Sequence, residues 1–170
     1  MEGLPSFFEV INMNYIKVDP FDTNNGIGVR MTLFVSGCPH ACKGCFNSDY
    51  WNYKSGLQWT SLLLDSLLVD FERNKSHLAG LSILGGEPLA KRNVAEVIKV
   101  IDKFKLRFPE KTVWLWSGYT LEEIQTNHAS DILKKIDVLV DGKYEESMRD
   151  TSLEYRGSSN QRVLYKHTNF

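Results

Sequence analysis

Apolar positions along this chain switch between two spacings, and the switches mark its elements. Gly28-Val29-Arg30-Met31-Thr32-Leu33-Phe34-Val35 is a β-branched and apolar run halted by Ser36-Gly37, which reads as a strand. Leu64, Leu67, Leu68 and Phe71 then recur at i, i+3, i+4 and i+7, predicting an amphipathic helix capped by Thr60 or Ser61. Leu81-Ser82-Ile83-Leu84 is a second strand, stopped by Gly85-Gly86-Glu87-Pro88, before Val94, Val97, Ile98 and Ile101 restore the helical period up to Pro109. Val113-Trp114-Leu115-Trp116 makes a third strand, broken by Ser117-Gly118-Tyr119. Thr120 with Glu123 three residues on is a capping-box signature for a short helix. Asp131-Ile132-Leu133-Lys134-Lys135 adds a helical turn, Asp137-Val138-Leu139-Val140 a fourth strand ending at Asp141-Gly142, and Arg162-Val163-Leu164-Tyr165 a fifth. The first twelve residues, including Phe7-Phe8-Glu9-Val10, fit neither spacing.

Strands alternating with helices predict an α/β fold with right-handed crossovers, and ligand sites at the C-terminal ends of its strands. An eight-stranded barrel takes about 250 residues. The expectation is therefore an open partial (β/α) barrel of about five to six mostly parallel strands, with the site at the C-terminal strand ends. Four loops directly follow predicted strands: the segment after Val35, Gly85-Gly86-Glu87, Ser117-Gly118-Tyr119 and Asp141-Gly142. Each alone is also what a strand terminator looks like; together they would meet on one face.

With 170 residues, the chain fits one domain. Residues 1–12 are set apart as an N-terminal extension without an assigned role, and residues 13–170 as the domain. An apolar fraction of 42% is enough for a core and argues against disorder. Twenty basic residues stand against 21 acidic ones. That balance gives no footprint for nucleic acid. No apolar run approaches the roughly 18 residues of a membrane span. The start, Met1 to Pro5, lacks a basic n-region, and the chain reads as cytoplasmic.

Composition changes the picture at one place. The chain has three cysteines, all in the string Gly37-Cys38-Pro39-His40-Ala41-Cys42-Lys43-Gly44-Cys45-Phe46-Asn47. A C-x3-C-x2-C spacing keeps three thiolates on one short loop, able to hold three corners of a 4Fe-4S cluster, for which four cysteines are the norm. The missing fourth would leave one iron open, which points to chemistry rather than a passive staple. A Cys3His zinc site closed by His40, His77, His128 or His167 is the competing reading, although His40 lies inside the loop and is awkward as a closing ligand. An open iron can take an amine and a carboxylate, the groups offered by the methionine end of S-adenosylmethionine. The Gly-Gly turn would let main-chain carbonyls approach that amine, because no Cβ intervenes, which makes Gly85, Gly86 and Glu87 candidates. Phe46 would shield the cluster, lie against adenine, or be ordinary core. Ser117 suits a ribose or the carboxylate, and Asp141 is either similar or a turn residue. Lys43 offsets cluster charge or is a solvated surface group. Tyr50-Trp51-Asn52-Tyr53 reads as packing, at a rim where a partner could touch it.

These residues resemble the radical S-adenosylmethionine superfamily and, more narrowly, the activating proteins of anaerobic ribonucleoside-triphosphate reductases. The narrower likeness rests on the cysteine string, Trp114-Leu115-Trp116-Ser117-Gly118-Tyr119, Asp137-Val138-Leu139-Val140-Asp141-Gly142-Lys143-Tyr144 and Arg156-Gly157-Ser158-Ser159-Asn160-Gln161-Arg162, and spans residues 13–162. It implies a radical SAM domain in which Cys38, Cys42 and Cys45 bind one 4Fe-4S cluster, and Gly44, Cys45, Phe46, Gly85, Gly86 and Glu87 lie on S-adenosylmethionine. It also implies a partner, the reductase's large subunit, whose C-terminal glycine loses an α-hydrogen to become a glycyl radical, and a low-potential electron donor such as flavodoxin. Family members often begin near a Met-Asn-Tyr, here Met13-Asn14-Tyr15. Two alternatives stand beside this reading: a radical enzyme with another substrate, and a non-enzymatic zinc or iron–sulfur module.

Overall fold

The computed structural model describes residues 12–170. Ten named elements follow one another: β1 (Asn14–Asp22), β2 (Arg30–Val35), β3 (Leu57–Gln58), α1 (Ser61–Asn74), β4 (Gly80–Gly85), α2 (Val94–Arg107), β5 (Thr112–Ser117), α3 (Leu121–Thr126), β6 (Val138–Asp141) and β7 (Arg162–Tyr165), with short 3-10 turns between some of them. All seven strands form one sheet in the order β3-β1-β2-β4-β5-β6-β7. β2, β4, β5 and β6 run parallel as its centre. β1, β3 and β7 add antiparallel margins. The two edge strands, β3 and β7, do not pair, so the sheet is open.

All six residues of β2 are buried, as expected of a strand covered on both faces. On one face, Met31, Leu33, Leu81, Ile83, Val113, Leu115 and Leu139 meet the helices in the main core. α1 contributes Leu64, Leu68 and Phe71 to it, and α2 contributes Val97, Val100, Ile101 and Phe104. The rings of Phe71, Phe104 and Phe108 lie 4.6 to 5.3 Å apart at its centre. The alternate residues of the same strands face the other way, where Trp114, Val138 and Val140 pack with Trp116, Tyr155 and Val163. Residues 143–161, between β6 and β7, supply that second cover: Trp116 Nε1 donates to Tyr155 O at 2.7 Å.

Thr60 caps α1 by accepting from Leu63 N, and Thr120 with Glu123 forms the complete capping box of α3. The turn expected around Asp131 is a 3-10 turn over Ser130–Lys134. Five strands were legible in the sequence and seven are present. β1 escapes the pattern because it carries Asp19, Pro20 and Asp22, and its register shifts twice against β2, which destroys strict alternation. β3 is two exposed residues paired only to Asn14 and Tyr15. β7 runs antiparallel, which a short apolar run cannot reveal. The proposed extension lies outside the described residues except for Asn12, whose carbonyl accepts from Arg92 Nε at 3.1 Å. Among the described residues, no helix is long and apolar enough to cross a membrane.

Candidate functional site

Because β2, β4, β5 and β6 are parallel, the segments leaving Val35, Gly85, Ser117 and Asp141 emerge at the same edge of the sheet. They surround a cleft of about 570 Å³. Its floor is Leu84, Trp116 and Val140, residues just inside the strand ends. Cys38, Cys42 and Cys45 line one side with Gly44 and Phe46, and Gly85, Gly86, Glu87 and Ser117 line the strand-end side. Lys143, Tyr144, Arg149, Arg156 and Gln161 form the opposite wall.

The Gly-Gly turn is built against the end of β2. Gly86 N donates to Val35 O at 2.8 Å and Glu87 N to Gly37 O at 2.7 Å. Gly85 has φ +114°, and a Cβ there would fall 2.6 Å from Val35 O, so a side chain is excluded twice over. Asn93 Nδ2 donates to the Glu87 carbonyl at 3.0 Å and to the Ser36 carbonyl at 2.9 Å. Gly85 O accepts from Asn47 Nδ2 at 3.4 Å, and among the described residues no loop N–H or side-chain donor reaches Gly86 O. Gly86 O is thus the least committed acceptor of the turn.

The Glu87 side chain is 1% exposed and fully engaged. Oε1 accepts from Leu89 N and Ser117 Oγ, each at 2.9 Å, while Oε2 accepts from Gly118 N and faces His40 Nε2, each at 2.7 Å. Its carboxylate ties the cysteine loop to the turn after β5 and has no capacity left for a ligand. Ser117 Oγ is likewise committed, donating to Glu87 and accepting from Tyr119 N at 3.1 Å. Asp141 is turned away, held by Arg162 and by Leu121 N at 2.7 Å, the first residue of α3. Burial of that carboxylate is offset by the guanidinium beside it.

The three thiols are free and half-buried. Burial pushes the Cys38 thiol up to about 11, with Glu87 and Cys42 adding to the effect, while backbone N–H groups of His40 and Ala41 oppose it. Burial also raises Cys42, helped by Cys45 and opposed by the Tyr144 backbone N–H and Lys143. Among the described residues, no three His, Cys, Asp or Glu side chains are already gathered as a metal cage. The donor chemistry nonetheless fits a thiolate-bound cluster: three unpaired sulfurs line one cleft, and main-chain N–H groups from two segments are turned to two of them.

Of the four histidines, only His40 borders the cleft. His128 Nε2 is 2.7 Å from Leu89 O, on the far side of the turn. Lys43 is exposed and lies 3.7 Å from Glu146, across the gap to the 143–161 segment. In the aromatic string, Trp51 lines the cleft, Tyr50 meets Phe34 edge-on at 6.4 Å, and Tyr53 lies under Arg92 at 5.4 Å. Phe46 is 99% exposed, so it is not core. Sequence reasoning missed the floor and the far wall. Strand alternation, extended one residue back from each glycine turn, points to Leu84 and Trp116; the far wall has no local signal beyond the Arg156 to Arg162 string.

That string proves to be a self-bonded turn. Gln161 Oε1 accepts from Gly157 N at 2.9 Å and Ser158 N at 3.1 Å, its Nε2 donates to Gly142 O at 3.0 Å, and Asn160 Nδ2 donates to Lys143 O at 2.7 Å. It fixes the wall beside the cysteines.

Comparison with known proteins bears on what this cleft holds. Residues 24–164 match the family model described as a 4Fe-4S single cluster domain. The chain is 42% identical over 156 residues to the anaerobic ribonucleoside-triphosphate reductase-activating protein of Vibrio cholerae, covering 92% of this chain and 99% of that protein. The Escherichia coli K12 protein of the same name is 40% identical over 151 residues, 89% of this chain and 97% of its own length. The protein of that name from Enterobacteria phage T4 is 42% identical over 151 residues, 89% of this chain and 93% of its own length. With likeness at this level over nearly the full length of each, and the cluster-domain match enclosing the cysteine loop and all four central strands, the chain belongs to the family of anaerobic ribonucleoside-triphosphate reductase-activating proteins.

Proposed function

We propose that this protein activates an anaerobic ribonucleoside-triphosphate reductase by generating a glycyl radical in the reductase's large subunit. The observation that carries the reading is the shared cleft: three free thiols on one wall and the Gly-Gly turn at the adjoining strand end, within a chain of this family. Cys38, Cys42 and Cys45 would hold one 4Fe-4S cluster. Gly85 and Gly86 would accept from the amine of S-adenosylmethionine, and Gly44, Cys45 and Phe46 would lie along it. A reduced cluster bound there would supply the one electron for reductive cleavage of S-adenosylmethionine at its S–C5′ bond, the chemistry by which the α-hydrogen of the reductase glycine would be removed, with methionine and 5′-deoxyadenosine as products.

The chain's own residues orient and enclose. Leu84, Trp116 and Val140 give the cleft an apolar floor that limits water beneath the reacting groups. Glu87 keeps the Gly-Gly turn rigid through its four contacts, so its part is mechanical, and Ser117 serves the same clamp. Phe46, exposed at the lining of the cleft, would cover the cofactor or meet the reductase. A low-potential donor such as flavodoxin would reduce the cluster, and three free thiols suit the reducing cytoplasm.

Anaerobic reconstitution should give about four iron and about four sulfide per chain. Reduction with S-adenosylmethionine should release 5′-deoxyadenosine, and adding the reductase large subunit should give a glycyl radical signal in electron paramagnetic resonance. The variant Cys42→Ala should lose all three. Stoichiometric zinc without sulfide in anaerobically isolated protein, or cofactor cleavage retained by Cys42→Ala, would sink the reading.

A further inference from the structure

His40 sits between two of the cysteines, and its imidazole is committed elsewhere. The side chain is 6% exposed, with Nε2 2.7 Å from Glu87 Oε2. Since that carboxylate also accepts from two main-chain N–H groups and a hydroxyl, it offers only acceptor capacity, and His40 Nε2 carries the hydrogen. The ring is fixed on its other sides. Tyr119 meets it edge-on at 4.6 Å, and Gly118 lies so close that a Cβ there would fall 2.6 Å from Nε2. The main chain of the same residue does a second task. The N–H groups of His40 and Ala41 face the Cys38 sulfur, and Ala41 reaches this arrangement at φ +49°, a left-handed conformation that needs outside support. A buried bolt on the side chain and a strained arc presenting N–H groups to a thiol therefore share two consecutive residues, His40 and Ala41.

We infer that His40 is a positioning residue: by donating to Glu87 it locks the arc of residues 38–42 to the turn bearing the Gly85 and Gly86 carbonyls. The consequence rests on the cluster and S-adenosylmethionine reading. Cys38 and the carbonyls that would receive the cofactor's amine keep one fixed spacing, and the N–H groups on Cys38 tune the bound cluster, since hydrogen bonds to sulfur help set its reduction potential. Glu87 is the shared anchor, and His40 is its link to the cysteine loop.

Three variants of the full chain separate this role from general stability. His40→Ala removes the donor. His40→Gln retains an amide N–H at about the same reach as Nε2. Ser117→Ala removes a different hydrogen bond to Glu87 without touching the cysteine loop. In reduced, metal-free protein, iodoacetamide labelling resolved by mass spectrometry should show Cys38 reacting at least about fivefold faster in His40→Ala, close to wild type in His40→Gln, and within about twofold of wild type in Ser117→Ala. After reconstitution, His40→Ala should lower the cluster's reduction potential and raise KM for S-adenosylmethionine more than it lowers kcat, with His40→Gln restoring both. Unchanged Cys38 labelling in His40→Ala, or His40→Gln as defective as the alanine variant, overturns the inference. Should His40→Ala fail to fold, His40→Asn, whose shorter amide falls short of Glu87, is expected to behave as the loosened form, and wild-type labelling in it also overturns the inference. If wild-type protein takes up no cluster, the functional reading fails, while the labelling of metal-free protein still decides whether the bolt exists.

Discussion

Arg30 and Glu87 are both 1% exposed, and they sit at opposite ends of the same parallel strands. Arg30 opens β2, level with Gly80 of β4. Its guanidinium donates to Ser82 Oγ at 2.7 Å, Thr112 Oγ1 at 3.0 Å, and the carbonyls of Ile27, Leu81 and Thr112, with Trp114 stacked 5.7 Å away. Among the described residues, no carboxylate pairs with it, and burial pushes it down to about 10 against the pull of Asp137. Glu87 answers the same problem at the other end with donors from the cysteine loop, its own turn and the turn after β5. The difference lies in what is joined. Arg30 staples strands that the sheet already aligns, whereas Glu87 joins loops that lie outside the strand ladder. One end of the sheet is built for stability and the other for placement.

The sharpest test of that contrast is Glu87→Ala. It leaves two main-chain N–H groups, a hydroxyl and an imidazole without their acceptor, and should cost about 3–5 kcal/mol, read from denaturant midpoints at unchanged slope. Arg30→Met should cost only about 1–2 kcal/mol, because relief from burying an unpaired charge offsets the lost hydrogen bonds. Equal losses would erase the distinction between the two ends.

A smaller effect concerns Cys38, next to Glu87. With its thiol raised to about 11, the thiolate at pH 8 is scarce; the gain in nucleophilicity recovers part of this, so alkylation in metal-free protein should run about tenfold slower than in a denatured control. The sign for stability follows. The folded state holds this proton more tightly than the unfolded one, so its contribution is complete below about 9 and is lost as pH rises through about 11. Metal-free protein should therefore lose melting temperature over that window, and a flat profile would count against the burial assigned to Cys38.

The smallest expected effect lies at the exposed rim. Glu122 is held down to about 2, first by its hydrogen bond to Arg162, which also grips Asp141. Its folded value is depressed, so its contribution is present above about 4.5 and is lost as pH falls through about 2. Carboxyl NMR should show the low midpoint, and Glu122→Gln should shift the denaturant midpoint less than either buried-charge variant.

The helices were legible because α1 and α2 keep apolar residues at strict helical spacing, and five of the seven strands because β2, β4, β5 and β6 are buried runs closed by glycine or Asp-Gly turns and β7 is a short apolar run. β1 was not, since bulges and a proline break the alternation that strand recognition needs. In the site, Cys38, Cys42, Cys45 and the Gly-Gly turn announce themselves by residue type. Glu87 was assigned to the cofactor by its place in the triad. Its side chain also spans 47 residues to His40 and 30 to Ser117, distances over which no local pattern carries information. Asp141 has the same history: an Asp-Gly turn in the sequence, a clamp on Arg162 and α3 in space.

The sequence by itself determined which atoms are reactive and roughly where they fall. Three thiols with one spacing, a turn without side chains, and strands that end at those points are properties of residue type and order, and local chemistry is enough to read them. Only the tertiary structure decided which polar groups are spent on holding the site together. A buried carboxylate must find donors wherever the fold brings them, and here they come from two other loops. Glu87 and His40 stand 47 residues apart along the chain, and only the fold brings their side chains within 2.7 Å.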